Sequence, residues 1–393
     1  MIGFELSVEQ RARQEWAREF AEQEIAPVAT AIDRADDFPW PLVESGIRKG
    51  FTTMLIPAIY GGGGFDNLSA GLVLEELGAA CAGVATIFGA SILGIGPIVL
   101  LGTEEQKARL LTRVAADDSG RFLCAFAVTE AAAGSAAASG HPQFGVQLRA
   151  QRDGDCYVLS GSKRFISNGN VARLYSVLAR THPTKAALGG LSFFAVDAAD
   201  GVQVGRVEKK MGQRACPAAE LIFDQVRVRA TNLLSREGTG AIGLTQTISF
   251  STPLVAAICI GVARRALQLA LEHARKGTPP LLDEQGTAMR LFDMATTVEA
   301  ARHLVWRALW ENDRRRDPTT GRLRGAPNLK LAAMAKVFAS DGCVRIVDEA
   351  LQIIGAGAVL GDHPIGKLVR DAKLMQIFEG TNQIHRIATA RLL

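Results

Sequence analysis

The hydrophobic period changes twice along the chain. Residues 1 to about 121 follow a helical period. Trp16 and Phe20 stand one turn apart, and the stretches 70–80 and 103–115 read as helices. Ser7-Val8-Glu9-Gln10 is a capping-box pattern, and Thr103 before Glu104 and Glu105 opens another helix. Pro39, Pro41, Pro57 and the run Gly61 to Gly64 punctuate this region. From Phe122 to about 233 the pattern becomes alternation. Val146, Leu148 and Ala150 lead to the hairpin signal Asp153-Gly154, and Tyr157-Val158-Leu159 follows. Further strands are expected over 174–179, 191–196, 202–207 and 220–228, about six to eight strands in all. From about 241 the period is helical again, and 258–275, 288–312 and 329–354 are long enough for a bundle. Helix, sheet and helix in series predict an α+β fold. Its parts are an N-terminal helical domain (1–121), a middle antiparallel β domain (122–233) and a C-terminal four-helix bundle (234–393).

Composition narrows the classes. With 393 residues, 48% hydrophobic and 21% charged, the chain is an ordinary globular protein with room for sizeable cores. The net charge of +4 is dispersed, which suits an anionic substrate or acidic partner and gives no sign of nucleic acid. The one dense basic run, Arg314-Arg315-Arg316 with Arg322 and Arg324, reads as a solvated loop. No apolar span long enough to cross a membrane is read, so no membrane insertion is expected. Glu5, Glu9 and Glu15 interrupt a signal-peptide pattern. The six cysteines contain no Cys-x-x-Cys, so no disulfide framework is expected, and the location expected is cytoplasmic. The six histidines show no metal-ligand spacing, so no metal is expected.

Two motif-like segments fail. Residues 361–368 nearly match a phosphate loop, but Leu368 stands where Ser or Thr would hold magnesium, and no strand precedes them. Gly355-Ala-Gly357 starts like a dinucleotide fingerprint, but Leu360 replaces the third glycine in a helical setting. The C-terminal end is more informative. A helix-like stretch reaches Phe378-Glu379-Gly380-Thr381, where Gly380 can end one helix and Thr381 can cap the next. Ile384, Ile387, Ala388 and Leu392 then recur at helical spacing and predict a buried face. Glu379 is thus expected at a tight corner between packed helices, a place to aim a carboxylate. In the β region, 126–135 and 163–169 each put a hydroxyl beside an aromatic at a sheet edge.

Together these segments resemble the acyl-CoA dehydrogenases, flavoproteins, over essentially the whole chain and in the same order. The matching pieces include Tyr60-Gly-Gly, Gly102-Thr-Glu-Glu-Gln106, Thr129-Glu130 with Gly134-Ser135, and Ser167-Asn168-Gly169. Lys210-Met-Gly212, residues 220–228, Leu351-Gln352-Ile-Ile-Gly355, Arg370-Asp371 and Glu379-Gly-Thr381 match as well. The resemblance implies an FAD-dependent acyl-thioester dehydrogenase that forms an enoyl thioester. A base removes an α-proton while hydride leaves the β-carbon for flavin N5. It implies Glu379 as that base. Phe126, Val128, Thr129, Gly134, Ser135, Phe165, Ser167, Arg275, Thr381 and Gln383 are implied on the cofactor. Gln352 and Gly355 are implied on the cofactor of a neighbouring subunit, which makes a homodimer or homotetramer. Ser135, Ser249, Thr252 and Gly380 are implied near the substrate. The implied partners are an acyl-CoA or acyl-carrier-protein thioester and an electron-transfer flavoprotein as electron acceptor.

Some residues depart from the family pattern. The loop usually Glu-Pro-Gly-Ala-Gly-Ser-Asp is Glu130-Ala-Ala-Ala-Gly-Ser-Ala136, and Phe165 and Ser167 stand where Trp and Thr are commoner. The alternative position for the base is Ser251, which cannot serve as a carboxylate. Residues 275–280 shorten a segment that contacts cofactor, where Arg275 or Lys276 supplies charge, and the loop 314–325 is longer than typical. These departures keep two alternatives open: an acyl-carrier-protein-tethered dehydrogenase of a biosynthetic pathway, such as a polyketide pathway, and an oxygen-using acyl-CoA oxidase.

Overall fold

Helices α1 (Val8–Phe20), α2 (Ala29–Arg34), α3 (Trp40–Arg48), α4 (Asn67–Ala80), α5 (Ala82–Leu101) and α6 (Glu104–Ala115) precede the sheet. The computed structural model describes residues 5–35, 37–137, 141, 143–361 and 363–393; Asp362 of the rejected phosphate loop lies outside them. The capping box opens α1: Ser7 Oγ accepts from Gln10 N at 3.1 Å, and Gln10 Oε1 accepts from Ser7 N at 3.0 Å. Thr103 and Gln106 repeat it on α6.

Helix α5 corrects an expectation. It runs 20 residues without a charged side chain, and both it and the later helix Gly240–Ala274 are long and apolar enough to cross a membrane. Its glycines, Thr86, Ser91 and Pro97 disguised that run in the sequence. In this fold the two are core helices, with 72% and 67% of their most apolar windows buried.

The sheet comprises β1 (Cys124–Ala127), β2 (Arg149–Asp153), β3 (Cys156–Ser167), β4 (Leu174–Arg180), β5 (Leu191–Asp197), β6 (Gln203–Val207), β7 (Ala218–Arg229) and β8 (Leu233–Leu234), with one helical turn, α7 (Ala187–Gly190), before β5. The order is β6-β7-β3-β2-β4-β5-β8, with β1 also beside β4. Most pairs are antiparallel, but β1 runs parallel to β4 from Cys124↔Leu174 to Ala127↔Val177, and β2 meets β4 in parallel at Arg149↔Arg180. The sheet is therefore mixed, not purely antiparallel. The β2–β3 hairpin lies between β1 and β4 in sequence, and so long a crossover permits a parallel return. The hairpin loop is Gly154-Asp155, one residue along from the expected pair, with Gly154 at φ +62°.

The C-terminal helices are α8 (Gly240–Ala274), α9 (Gln285–Arg314), α10 (Leu329–Ile354), α11 (Pro364–Met375) and α12 (Asn382–Ala390). Helix α8 begins well before Ile258. Its first half is rich in Ser and Thr, which lowers helical propensity. Burial overrides that, because the hydroxyls are satisfied one turn back: Thr247 donates to Gly243 O at 2.8 Å and Thr252 to Ile248 O at 2.6 Å.

A large core around Phe51, Phe88, Ile258 and Ile346 joins the N- and C-terminal helices. A second, with Ile95, Phe122 and Phe193, packs helices on one sheet face, and Tyr157, Phe194 and Phe223 fill the other. Helices α4 and α8 cross at glycines, where a Cβ on Gly261 would lie 2.2 Å from Glu75 O. At the same crossing Glu76 pairs with Arg264 at 2.5 Å, and Glu75 with Arg302 at 2.9 Å.

Two further expectations change. On α12 the packed residues are Asn382 and His385, while Ile387 is 71% exposed and Leu392, just beyond the helix, 49%. The polar side packs because it anchors the preceding corner; the aliphatic side is uncovered within one chain. The basic loop is not wholly solvated either: Arg316 is buried and donates to Leu55 O.

Gly261→Ala is expected to destabilise the protein by about 1–3 kcal/mol through overpacking of the α4–α8 crossing. Denaturant unfolding of the variant checks this.

Candidate active site

The corner between α11 and α12 is built against its own backbone preference. Glu379 has φ +57° and Gly380 φ +84°. A left-handed conformation is uncommon for a residue with a side chain, so the surroundings must hold it. They hold it by its carbonyls. Buried Lys336 on α10 donates to Gly380 O at 2.7 Å and to Asn382 Oδ1 at 2.8 Å. His385 Nε2 lies 2.9 Å from Glu379 O, which requires the Nε2–H tautomer. Asn382 Nδ2 donates to Ser340 Oγ at 2.8 Å and Asp341 Oδ1 at 2.7 Å. Thr381 Oγ1 accepts from Ile384 N at 3.2 Å, the cap expected from the sequence. A Cβ on Gly380 would meet His385 Nε2 at 2.9 Å, so glycine is also required by space.

The Glu379 side chain turns toward α8, where the Ser251 hydroxyl donates to its Oε1. Desolvation raises the Glu379 carboxyl to about 7, opposed by the Ser251 hydrogen bond and the Lys336 charge. Burial in turn lowers Lys336 to about 8. The Glu379 N–H makes none of the described hydrogen bonds. A carboxylate poised near neutrality, beside a free N–H, can take a proton and support an oxyanion.

The sheet supplies a second set of groups. Phe126 on β1 is half-buried and stacks on Phe193 with centroids 5.7 Å apart. Val128 is buried and Thr129 half-buried. Their backbone is pinned from below: Lys163 Nζ donates to Val128 O at 3.0 Å and Glu130 Oε1 at 2.7 Å, and Arg164 N donates to Thr129 O at 2.8 Å. Gly134 and Ser135 are exposed. At the end of β3, Phe165 has φ +58° and is 53% exposed, although an aromatic would normally be buried. Ser167 follows, and Asn168 at φ +60° is locked by its Nδ2 donating to Ile87 O at 2.8 Å. Apolar faces of Phe126, Val128 and Phe165 beside hydroxyls of Thr129 and Ser167 fit a flat aromatic ring with a polar edge. The donor set therefore suits a flavin.

Other expected residues do not join these groups. Ser249 and Thr252 are buried, and their hydroxyls donate to Thr245 O and Ile248 O; it is Ser251 between them that reaches Glu379. Arg275, Gln352 and Gln383 are exposed, and Gly355, at φ +73°, ends α10; no described hydrogen bond ties any of them to the corner. Sequence reasoning missed Lys336, His385, Asn382 and Asp341. Only Asn382 and His385 carried a local signal, by lying next to Glu379-Gly-Thr.

Ser251 also lines a cavity of about 40 Å³ between α5 and α8, with Leu55, Ile92, Val99, Phe250 and Leu254 among its walls. A larger groove, about 360 Å³, lies between α2 and the α10–α11 junction and contains neither Glu379 nor the sheet residues above. Among the described residues no group of His, Cys, Asp and Glu could hold a metal, and the six cysteines are free.

The chain is similar to known proteins over its whole length. The family descriptions "acyl-CoA dehydrogenase, N-terminal domain", "middle domain" and "C-terminal domain" match residues 7–118, 125–226 and 238–393. Cyclohex-1-ene-1-carbonyl-CoA dehydrogenase of Syntrophus aciditrophicus is 36% identical over 99% of this chain and 91% of its own. An acyl-CoA dehydrogenase of Bacillus subtilis is 36% identical over 98% of both. Butyryl-CoA dehydrogenase from Megasphaera elsdenii superposes with a TM-score of 0.91 at 33% identity, covering 100% of this chain and 99% of that one. A chain solved in work on the electron transferring flavoprotein of Acidaminococcus fermentans gives 0.91 at 34% identity, with the same coverage. An acyl-CoA dehydrogenase complexed with FAD, from Bacillus anthracis, gives 0.89 at 27%, covering 100% of this chain and 69% of that one.

Lys336→Met removes a cation that lowers the Glu379 carboxyl. The acid limb of the pH profile of flavin reduction is expected to move to higher pH. An unmoved limb would mean that Lys336 serves the corner's shape alone.

Proposed function

The chain belongs to the acyl-CoA dehydrogenase family, and from that premise we propose that Glu379 is the base with which this FAD-dependent acyl-thioester dehydrogenase opens its reaction. The single observation that carries this reading is the half-buried Glu379 carboxyl, raised to about 7 and held by a corner anchored on Lys336 and His385. Dehydrogenation forms an enoyl thioester by loss of an α-proton and a β-hydride. Phe126, Val128, Thr129, Phe165 and Ser167 would hold the flavin ring, and FAD when bound supplies the two-electron acceptor. The Glu379 N–H, free of described partners, would donate to the thioester oxygen and make the α-proton more acidic. The Glu379 carboxylate would then accept that proton, with desolvation keeping its basicity near working pH. Ser251 orients the carboxylate in the resting state.

Several finer readings go with it. The thioester is a coenzyme A thioester; support comes from four of the five relatives above, whose names carry that carrier. Those names favour neither a carrier-protein nor an oxidase alternative. An electron-transfer flavoprotein accepts the electrons, supported by the likeness to the Acidaminococcus chain. The working form is a homodimer or homotetramer. Its support is apolar surface left open on the C-terminal helices, with Phe292 71%, Trp310 50%, Phe338 39% and Ile387 71% exposed, together with the exposed Gln352 and the half-buried Gly355. A cytoplasmic setting is supported by the free, mostly buried thiols.

Glu379→Gln is expected to keep bound FAD and lose flavin reduction by about 10²–10⁴-fold, the scale of a lost general base. Single-turnover reduction at the wild-type rate would reassign the base. In the wild type, kcat/KM is expected to fall as pH drops below about 7. The sign for stability is opposite. A carboxyl raised in the fold favours the protonated state, so the stability cost of Glu379 grows as pH rises from the ordinary carboxylate value of 4.5 and is complete above about 7. The Gln variant should therefore be at least as thermostable as wild type at alkaline pH. Light scattering is expected to show an oligomer, and an active FAD-bound monomer would contradict the assembly.

A further inference from the structure

Two motifs of the sequence still lack a role, Lys210-Met-Gly212 and Arg370-Asp371. In the fold they meet each other. Arg370 Nη1 donates to Met211 O at 2.8 Å, and a Cβ on Gly212 would lie 2.3 Å from Arg370 O, so only glycine fits there. The next residue, Gln213, is buried and has φ +48°. A glutamine does not choose that conformation, so its partners hold it.

Those partners lie on three separate segments. Gln213 N donates to Asp371 Oδ1, and its Nε2 donates to Asp371 O at 3.2 Å. Its Oε1 accepts from Thr86 Oγ1 on α5 at 3.0 Å. Its carbonyl accepts from Lys210 Nζ at 2.8 Å and from Cys216 N at 3.1 Å. Asp371 is buried and takes Lys367 on its other oxygen. It sits on α11, the helix that leads into the Glu379 corner.

The turn that Gln213 opens reaches the end of β3, where Phe165 and Ser167 stand. Asn168 N donates to Pro217 O at 3.1 Å, and Cys216 Sγ donates to Asn168 Oδ1 at 3.8 Å. The other end of the Asn168 amide is bound to Ile87 O, the neighbour of Thr86 on α5. Two left-handed residues, Gln213 and Asn168, thus grip adjacent positions of one helix, and a short loop joins them. Asp371, Gln213, Cys216 and Asn168 are all buried. A buried polar network with its groups satisfied rigidifies what it joins.

We propose that Gln213 is a positioning residue for the dehydrogenation: it ties the Ser167-Asn168 turn to α11, so that the flavin edge and the Glu379 corner keep one register. The inference rests on the dehydrogenase reading of that site. Gln213 acts through Asp371 on one side and through Asn168 on the other. Proton and hydride leave neighbouring carbons, so base and acceptor must both be aimed, and a misplacement of about 1 Å costs roughly 10²-fold in rate.

The test is single-turnover flavin reduction by a coenzyme A thioester, on FAD-loaded protein, read as a limiting rate per bound FAD and an apparent Kd. Gln213→Gly keeps the backbone N–H and takes φ +48° freely, but loses both side-chain bonds. Its limiting rate is expected to fall on the order of 10²-fold with Kd little changed. Thr86→Val removes only the α5 end and should fall in the same direction by less. Added to Gln213→Gly it should cost nothing further, because its partner is already gone. Gly261→Ala, destabilised at the α4–α8 crossing, is the control and should reduce its flavin at the wild-type rate. A purely structural Gln213 would lower unfolding temperature and leave the rate per bound FAD untouched, and that result would overturn the inference. An equal rate loss in Gly261→Ala would overturn it as well. If Gln213→Gly does not fold, Thr86→Val decides, with a wild-type rate counting against. A wild type whose flavin no thioester reduces would overturn the dehydrogenase reading, and this one with it.

Discussion

The proposed function depends on one desolvated carboxylate held in a backbone conformation it would not choose. Glu379 and Gly380 both turn left-handed, which glycine adopts freely and glutamate does not. The Lys336 ammonium and the His385 ring each take one of their carbonyls, so two buried side chains on two helices fix a strained corner. The same Lys336 opposes the desolvation that raises the Glu379 carboxyl. Shape and basicity are thereby coupled through one cation. A residue that only shaped the corner could be neutral, and one that only tuned the carboxyl would not need to reach Gly380 O.

Helix α5 ties the sheet to the helix that carries Ser251. Helix α5 lies between the helical core and the sheet, close enough that a Cβ on Gly94 would meet Ala125 N at 2.5 Å. That contact seats β1 on a helix that also packs against α8, which carries Ser251. The Lys163–Glu130 pair then fixes the loop beyond β1 from beneath, with Glu130 also accepting from Gln147 N at 2.7 Å and Leu148 N at 2.9 Å. Buried pairs of this kind rarely add much stability, but they specify where a chain goes. Here the specified path is that of Val128 and Thr129, which would face the flavin ring in the proposed function.

What was legible in the sequence was local. Thr381 as a cap, the hairpin at Gly154, the capping box at Ser7, the helix start at Thr103 and the long C-terminal helices each follow from residues a few positions apart. What was not legible joins distant segments. Lys336 precedes the corner by more than forty positions and resembles any lysine on a helix. Ser251 gave away its position but not its contact with Glu379, because nothing in the sequence aims one helix at another. Arg316 was hidden by composition: a run of arginines reads as solvated until one is found inside. The buried face expected from Ile384, Ile387 and Leu392 failed for a different reason, since a periodic aliphatic stripe says that something covers it and not that the same chain does.

The most direct test is a titration of the Glu379 carboxyl itself, by infrared difference spectroscopy on the FAD-loaded wild type and the Glu379→Gln variant. A protonated-carboxyl band that disappears with a midpoint near 7, and is missing from the variant, is the expected result. A Glu379 band that titrates with the ordinary surface carboxylates would contradict the account, because the corner would then hold no poised base.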